Sequence, residues 1–172
     1  RDKEVRRIRE VYHLMRPRRQ EDGQVVTGFK PEIGLPRICF AAEYENRNKE
    51  RRMIGYNGLV VLELNDLSQY EEAVRLRNQA AKMPETLMAF LGGSGKSVKI
   101  VCRGELFEGN LPTTEDDIRQ FHLNLYHTAR LAYQNQFQMD IAYLEPRLDR
   151  TVYLSADPEM FYHPEARAFL DL

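Results

Sequence analysis

A run of four apolar residues, Leu59-Val60-Val61-Leu62, limits the folds open to this chain more than any other feature. A strand with one face in water alternates polar and apolar residues, and this run does not alternate. The segment 56–64 therefore predicts a central strand covered on both faces. The apolar runs of this chain are all far shorter than the roughly 20 residues that span a bilayer, so no transmembrane helix is expected.

Helical spacing and helix-end signals occur in three other segments. Apolar residues recur every three to four positions at the start of the chain, up to Pro17. Ser68 and Glu71 form a capping box. These signals predict three helices: a basic helix over about 2–16, a helix from Ser68 to about Ala81, and a long helix capped by Thr113 or Thr114.

Strand-like apolar runs alternate with these helices. Besides 56–64, they cover residues 37–44, 87–91, 98–103 and 151–155, and the charged segment 45–52 is predicted to be a turn. The runs 87–91 and 98–103 flank a glycine-rich loop, which favours a hairpin. This order predicts an α+β fold in which helices pack on a mainly antiparallel sheet.

Length and cysteine content favour one domain in a reducing compartment. With 172 residues, 42% of them hydrophobic, the chain can bury a core without disulfides or metals. We therefore expect one domain over 1–172, and because the sequence begins at Arg1 we expect it to come from a longer multidomain protein. Cys39 and Cys102 lie in strand-like runs, typical of free thiols in the cytoplasm.

The net charge of −1 hides an uneven distribution. Residues 1–19 contain eight basic and three acidic side chains, whereas the rest of the chain contains 17 basic and 23 acidic ones. This excludes a uniformly basic nucleic-acid binder but not a local contact. The basic segment is either a solvated helix face or a nucleic-acid contact, and the sequence leaves both interpretations open.

The loop Gly92-Gly93-Ser94-Gly95-Lys96-Ser97 resembles the end of a phosphate-binding P-loop. Two observations argue against a P-loop: Phe90 stands at the position of its first glycine, and a strand follows where a helix is required. Three glycines in four positions still let a backbone approach a ligand closely, and Lys96 and Lys99 add positive charge. A plain glycine-rich hairpin turn is the alternative.

The end of the strand 56–64 carries acidic side chains. Because residues two apart share a face, Glu63 and Asn65 point one way and Asp66 points the other. Paired carboxylates in such a position are typical Mg²⁺ ligands, but the neutral amide of Asn65 is a weaker one. A strand-end turn without a ligand is the alternative. The four histidines are too scattered to predict a zinc site.

Three segments in order resemble the N-terminal domain of VirE-type proteins carried by mobile elements of Bacteroides-like bacteria. They are Tyr56-Asn-Gly-Leu-Val-Val-Leu-Glu-Leu-Asn-Asp-Leu67, then Ala89-Phe-Leu-Gly-Gly-Ser-Gly-Lys-Ser-Val-Lys-Ile-Val101, and Asp149-Arg-Thr-Val-Tyr-Leu-Ser-Ala-Asp-Pro-Glu159 with Tyr162-His-Pro-Glu-Ala166. That family in turn resembles the archaeo-eukaryotic primase superfamily. The resemblance implies an RRM-like, primase-like sheet and nucleotide polymerisation with divalent metals.

The resemblance also implies roles for single residues. The acidic pair of the primases falls on Glu63 and Asn65, and their third acid falls on Asp140. Glu63 and Asp140 would then be catalytic and hold Mg²⁺ or Mn²⁺, with Asp66 as a further candidate ligand. The residues implied to bind nucleotide or phosphate are Ser94, Gly95, Lys96, Lys99 and Arg150.

The departure at Asn65 leaves two functions open. The first is a primase-like domain of a replication protein that binds nucleotides and DNA or RNA and has weak or lost nucleotidyl transferase activity. The second is a non-catalytic DNA-binding or scaffold module that positions a helicase or another replication partner.

Overall fold

The computed structural model describes residues 2–15, 18–19, 25–26, 34–47 and 49–170. In these residues three helices alternate with short and long strands, and no helix is long and apolar enough to cross a membrane. The elements are α1 (Asp2–Met15), β1 (Arg18–Arg19), β2 (Val25–Val26), β3 (Arg37–Ile38), β4 (Ala42–Arg47), β5 (Glu50–Tyr56), β6 (Leu59–Leu64), α2 (Tyr70–Ala80), β7 (Thr86–Leu91), β8 (Val98–Arg103), α3 (Glu115–Phe137), β9 (Val152–Tyr153) and β10 (Phe161–Tyr162).

The main sheet has the strand order β10-β7-β8-β6, and all of its neighbouring strands are antiparallel. The strands β6 and β7 are parallel to each other with β8 between them, and α2 connects them. The helix α3 and the strand β9, which belongs to another sheet, lie in the connection from β8 to β10, which crosses β7. The sheet is therefore built from two interlocked strand–helix–strand units, which confirms the predicted α+β class with a mainly antiparallel sheet.

One face of the main sheet packs against α2 and α3. Alternate residues of β6 and β8 supply this face, and the helices add a matching apolar stripe. The fully buried side chains on this side include Leu62, Ile100, Leu76, Leu125 and Tyr133. Cys102 is also buried here, as predicted for a core thiol, and Cys39 and Cys102 are both free.

The opposite face of the sheet is covered by smaller elements. Phe90 and Val101 from this face pack with Val152 of β9, and Phe40 lies against the same group. The strand β9 pairs with β3, so a two-stranded ribbon lies near this face. The first turns of α1 reach the same region, where Glu4 and Val5 line a cavity with Phe90.

The predicted central strand is an edge strand. Its burial pattern does show two covered faces, since Val60, Leu62 and Leu64 are buried and the residues between them are half-buried. The four-residue apolar run therefore indicates that both faces of the strand are covered. It does not indicate whether the strand lies at the centre or at the edge of the sheet. In the described part of the sheet, the central positions belong to β7 and β8.

The charged segment 45–52, predicted as a turn, forms most of a hairpin instead. The strands β4 and β5 pair from Ala42 with Tyr56 to Arg47 with Glu50. The hairpin is exposed over much of its length, so its outer residues are charged, and this composition masked the strands. The predicted strand 37–44 is also interrupted between β3 and β4.

The predicted helices are confirmed, with adjusted ends. The helix α1 covers the described part of the predicted 2–16, and Arg16 lies outside the described residues. Thr114 caps α3 by accepting a hydrogen bond from the backbone N–H of Asp117 at 3.3 Å. The start of α2 differs, because Gln69 is its N-cap and the carboxylate of Glu72 accepts the backbone N–H of Ser68 at 3.1 Å.

Candidate functional site

Three side chains form a row across neighbouring strands on the sheet face away from α2 and α3. Glu63 of β6 is the register partner of Lys99 on β8, and Lys99 is the register partner of Phe90 on β7. Side chains directly opposite each other on antiparallel strands have Cβ atoms about 4.5–5.5 Å apart. An acid, a base and an aromatic ring therefore stand side by side on this face.

Glu63 is held by two cations. Lys99 donates from Nζ to one carboxylate oxygen, and Arg150 donates from Nε to the other at 2.8 Å. Lys99 also donates to Oδ1 of Asn65 at 2.7 Å. The side chains of Glu63 and Lys99 are only 10% and 11% exposed, so water screens their ion pair weakly.

The pKa of Glu63 follows from these contacts. Burial raises the pKa of this carboxyl, but the charge of Lys99 and the hydrogen bonds from Lys99 and Arg150 outweigh burial and leave the pKa below its usual value. Glu63 is therefore ionised at neutral pH, and both of its oxygens accept hydrogen bonds from cations.

The glycine-rich loop between β7 and β8 closes one side of this site. The backbone N–H groups of Gly92 and Gly95 bond to the carbonyls of Ser97 and Gly92, each at 2.9 Å. Gly95 has a φ of +73°, a conformation that favours glycine. The backbone N–H of Leu67 donates to the carbonyl of Lys96 at 3.0 Å, which ties the loop to the end of β6.

The N-terminal helix packs on the same loop. The ring of Tyr12 lies so close to Gly93 that a Cβ there would stand 2.8 Å from it, and the guanidinium of Arg9 lies over Gly95. Tyr12 also meets Tyr153 of β9 edge to face, with ring centroids 6.0 Å apart. The helix α1 therefore forms one wall of the site.

These groups surround a polar pocket of about 240 Å³, which we call the lysine pocket. It is lined by Tyr12, Glu63, Asn65, Asp66, Gly93, Ser97, Lys99, Arg150, Thr151, Val152 and Tyr153. A second cavity of about 510 Å³ shares Val152 and Tyr153 with it, and we call this one the apolar cavity. It is lined mainly by apolar side chains from α1, β3, β7 and the segment 152–160.

The structure brings together some of the residues proposed from the sequence. Glu63, Lys99 and Arg150 meet in the lysine pocket, and Asp66 lines it from the end of β6 with a φ of +55°. Ser94 and Gly95 lie in the adjoining loop, where the hydroxyl of Ser94 accepts the backbone N–H of Lys96 at 3.0 Å. Their roles in binding stay predictions.

Lys96 and Asp140 lie outside the lysine pocket. Nζ of Lys96 donates to the backbone carbonyl of Ser68 at 3.2 Å. Asp140 is exposed just after α3, between Phe137 and Ile141, which belong to the core on the helix side of the sheet. Because Glu63 points to the opposite face, the structure does not bring Glu63 and Asp140 together.

Sequence reasoning missed the aromatic walls of the site. Tyr12 was assigned only to the apolar stripe of an amphipathic helix, and Phe90 only to a predicted strand and to the argument against a P-loop. One signal for Phe90 was available, since residues 90 and 99 face each other if 92–97 forms a tight hairpin. No local signal pointed to Tyr153, because its place depends on how β9 pairs with β3.

The donor set does not suit a two-metal centre. Both oxygens of Glu63 and the amide oxygen of Asn65 accept hydrogen bonds from cations, and a metal ion would have to displace them. Among the residues that the structure describes, no three His, Cys, Asp or Glu side chains are grouped to hold a metal ion. The expected Mg²⁺ or Mn²⁺ site stays a prediction that this arrangement does not favour.

Comparison with known proteins gives one finding. The family model described as BT4734-like, N-terminal domain matches residues 32–162, about three quarters of the chain. This range includes β6, the glycine-rich loop, Lys99 and Arg150, whereas α1 lies before it. No curated protein and no solved structure matches the chain.

Proposed function

This chain belongs to the BT4734-like, N-terminal domain family, and from that premise we propose that it binds nucleotides in the lysine pocket without catalysing their transfer. The proposal extends the resemblance to VirE-type proteins and primases, in which the corresponding segments contact nucleotides and metals. The arrangement of Glu63, Lys99 and Arg150 is the observation that carries it. In this chain, Lys99 and Arg150 bind both oxygens of Glu63, the carboxylate that an active enzyme would use as a metal ligand.

The pocket has the chemical parts of a phosphate site. Lys99 and Arg150 supply positive charge, and a third of the Arg150 side chain is exposed. Glycines in the adjoining loop allow the backbone to approach a ligand closely, and Arg9 adds a guanidinium above Gly95. Glu63 and Asp66 offset part of this charge, so we expect modest affinity.

Nucleotide binding is tested by titration calorimetry of the intact chain with ATP, in Mg²⁺ and in EDTA. We expect binding in both buffers, because protein cations and not a protein-bound metal hold the phosphates. Lys99→Met should weaken binding about tenfold or more, since it removes a charge-assisted contact. Lys82→Met is the matched control, because Lys82 is exposed in the connection after α2.

Two results would contradict this function. One is the absence of binding at millimolar nucleotide. The other is the same loss of affinity in Lys82→Met as in Lys99→Met, since that would point to a nonspecific charge effect.

Catalysis is tested separately with primer synthesis on single-stranded templates in Mg²⁺ or Mn²⁺. We expect no product. Synthesis that disappears in both Glu63→Ala and Asp140→Ala would instead establish a metal-dependent primase and would overturn the non-catalytic assignment.

Single-stranded DNA binding is a second candidate function, favoured by the outer face of α1. Lys3, Arg6 and Arg7 are exposed at helical spacing on this face, beside the residues that wall the site. Binding of a labelled oligonucleotide should weaken between about 50 mM and 200 mM salt, and changing all three residues to Gln should lower that salt dependence. Affinity that is indifferent to salt would reject this candidate.

The setting of the domain follows from the same resemblance. We propose that it acts in the cytoplasm, in a replication protein of a mobile element, next to a helicase-type domain or partner. Co-purification of the full-length protein with a helicase activity on forked DNA is the direct test, and its absence would remove this part of the proposal.

A further inference from the structure

We propose that the apolar cavity is the nucleobase subsite of the same nucleotide site. This inference rests on the proposed function, because it assigns the base of the nucleotide whose phosphates occupy the lysine pocket. It adds a position for the base, a set of contacting rings and an expected base preference.

Strand register places the two subsites next to each other. Phe90 lines the apolar cavity and Lys99 lines the lysine pocket, and the two residues are direct partners across β7 and β8. Val152 and Tyr153 line both spaces. The cation and the aromatic ring are therefore neighbours, with Cβ atoms about 4.5–5.5 Å apart, a separation that one nucleotide can span.

The cavity offers aromatic surface to a flat ligand group. The rings of Phe40 and Phe90 are tilted by 38° with centroids 6.4 Å apart. Bases stack on such rings with little dependence on sequence, because every base has a π-face. The volume of about 510 Å³ lies in the range of ordinary ligand sites and exceeds what one base needs.

The cavity wall also predicts how the base is selected. Its side chains are mostly apolar, including Met88, Ile38 and Met160, and the acid Glu4 lies at the α1 end. Two further polar side chains line it and already have partners, since Asp157 is paired with Arg77 and the hydroxyl of Ser155 donates to a backbone carbonyl. Strong discrimination between bases requires buried hydrogen-bonding groups. We therefore infer that stacking dominates and that purines bind better than pyrimidines by a few-fold only.

The charge beside the cavity supports a phosphorylated occupant over a purely apolar one. An apolar molecule would gain nothing from Lys99 and Arg150, whereas a nucleotide uses the polar and the apolar space together. A neutral apolar ligand is the competing occupant, and the test below separates the two.

The test compares ATP, CTP and inorganic tripolyphosphate by titration calorimetry. We expect ATP to bind about tenfold more tightly than tripolyphosphate, since stacking on one aromatic ring gives about that advantage. In Phe40→Ala this advantage should disappear while tripolyphosphate binding stays unchanged. Phe40→Tyr keeps the ring and should keep the advantage.

A matched control removes apolar surface away from the site. Leu131 is 59% exposed on α3, so Leu131→Ala should leave both affinities unchanged. Phe90→Leu is a second variant, which removes the ring at a more buried position but keeps an apolar side chain there, and thermal unfolding checks that it folds. It should lower ATP affinity and leave tripolyphosphate affinity unchanged.

The outcomes separate this inference from the proposed function. Equal affinity for ATP and tripolyphosphate, or an equal loss of both in Phe40→Ala, would overturn the nucleobase subsite and leave the phosphate site standing. Failure of both ligands to bind would overturn the proposed function and this inference with it. Binding of a neutral apolar dye that ATP does not displace would assign the cavity to a different ligand.

Discussion

Lys99 is the residue on which the site depends most. It joins the carboxylate of Glu63 to the amide of Asn65 in a nearly buried position. At a metal centre, the same two side chains would converge on a cation from solution, and here a cation of the chain takes that place. The amide at Asn65 matches this arrangement, since its oxygen accepts a hydrogen bond from Lys99 without adding a second negative charge.

Lys99→Met should destabilise the fold by about 2–3 kcal/mol, because it leaves Glu63 buried with Arg150 alone and removes the donor to Asn65. Adding Glu63→Gln should recover part of this loss, since the orphaned charge is then removed. Urea unfolding measures both variants, with Lys82→Met expected within about 0.5 kcal/mol of wild type. A double variant that is no more stable than Lys99→Met would show that the pair is not coupled.

A buried histidine makes the stability of the fold depend on pH. Nδ1 of His122 and the hydroxyl of Tyr56 are hydrogen-bonded at 3.2 Å, and burial lowers the pKa of His122 to about 4. The unfolded chain takes up the proton near pH 6.5, whereas the folded protein resists it. His122 therefore makes its full contribution to the free energy of unfolding above pH 6.5, and this contribution is lost as the pH falls toward 4.

We expect the free energy of unfolding to fall by up to about 3 kcal/mol between pH 7 and pH 4 because of this group. Denaturant unfolding at several pH values measures the loss, and His122→Gln should show a smaller one. His127, which is exposed on α3, is the control position, and His127→Gln should keep the wild-type dependence. A profile that His122→Gln leaves unchanged would assign the acid sensitivity to other groups.

At the scale of elements, two contacts with distant segments help to hold the glycine-rich loop, in addition to its bond with the end of β6. The first is the packing of α1 against Gly93 and Gly95. The second holds the end of β7, where Arg77 of α2 binds Asp157 at 2.8 Å and Asp157 accepts the backbone N–H of Leu91 at 2.9 Å. The loop is thus positioned by a helix far before it and a segment far after it.

Gly93→Ala should release α1 from the loop, because the new Cβ would lie 2.8 Å from the ring of Tyr12. We expect faster amide exchange in α1 and weaker ATP binding, with little change in the exchange of the main sheet. Gly55→Ala is the control, since its Cβ would make an ordinary contact 3.8 Å from Glu43. Unchanged amide exchange in α1 would show that the ring of Tyr12 can move aside while α1 stays packed on the loop.

Arg77→Met should destabilise the protein by about 3–5 kcal/mol. The side chains of Arg77 and Asp157 are 4% and 3% exposed, so the variant leaves a buried carboxylate without its cation. Arg75→Met on the exposed side of the same helix removes only a bond to Gln79 and should cost less than about 0.5 kcal/mol. A small loss in Arg77→Met, measured by guanidinium unfolding, would mean that water reaches Asp157 when Arg77 is removed.

At the scale of the whole molecule, the main sheet separates the hydrophobic core on one face from the two cavities on the other. The helix-covered face holds the main core, and the other face holds the lysine pocket and the apolar cavity. Binding on the second face should therefore add to the stability of a fold that is already complete.

Saturating ATP should raise the melting temperature of the intact chain. At a hundred times the dissociation constant, ligand binding adds about 2.7 kcal/mol, which corresponds to a rise of about 5–10 °C for a chain of this size. Scanning calorimetry measures the shift, and Lys99→Met should show a smaller one at the same ATP concentration. An equal shift in both proteins would place the nucleotide elsewhere.

Local patterns predicted most of the longer elements and part of the site. The glycine-rich hairpin predicted the pairing of β7 with β8, and the two-residue period of a strand predicted that Glu63 and Asn65 share a face. The charged hairpin 42–56 was missed because exposed strands and exposed turns have the same composition. Asp140 was placed by resemblance alone, and position along a chain does not show on which side of a sheet a residue lies.

The three helices, the strands β6, β7 and β8, the class of the fold and the burial of β6 on both faces follow from the amino acids, because periodicity and capping act within a few residues. The pairing of Glu63 with Lys99 and Arg150, 36 and 87 positions away, was settled only by folding. Folding also determined the edge position of β6 and the packing of Tyr12 against Gly93. These contacts depend on strand register and on which elements cover each face, and both are set by the packing of the whole chain.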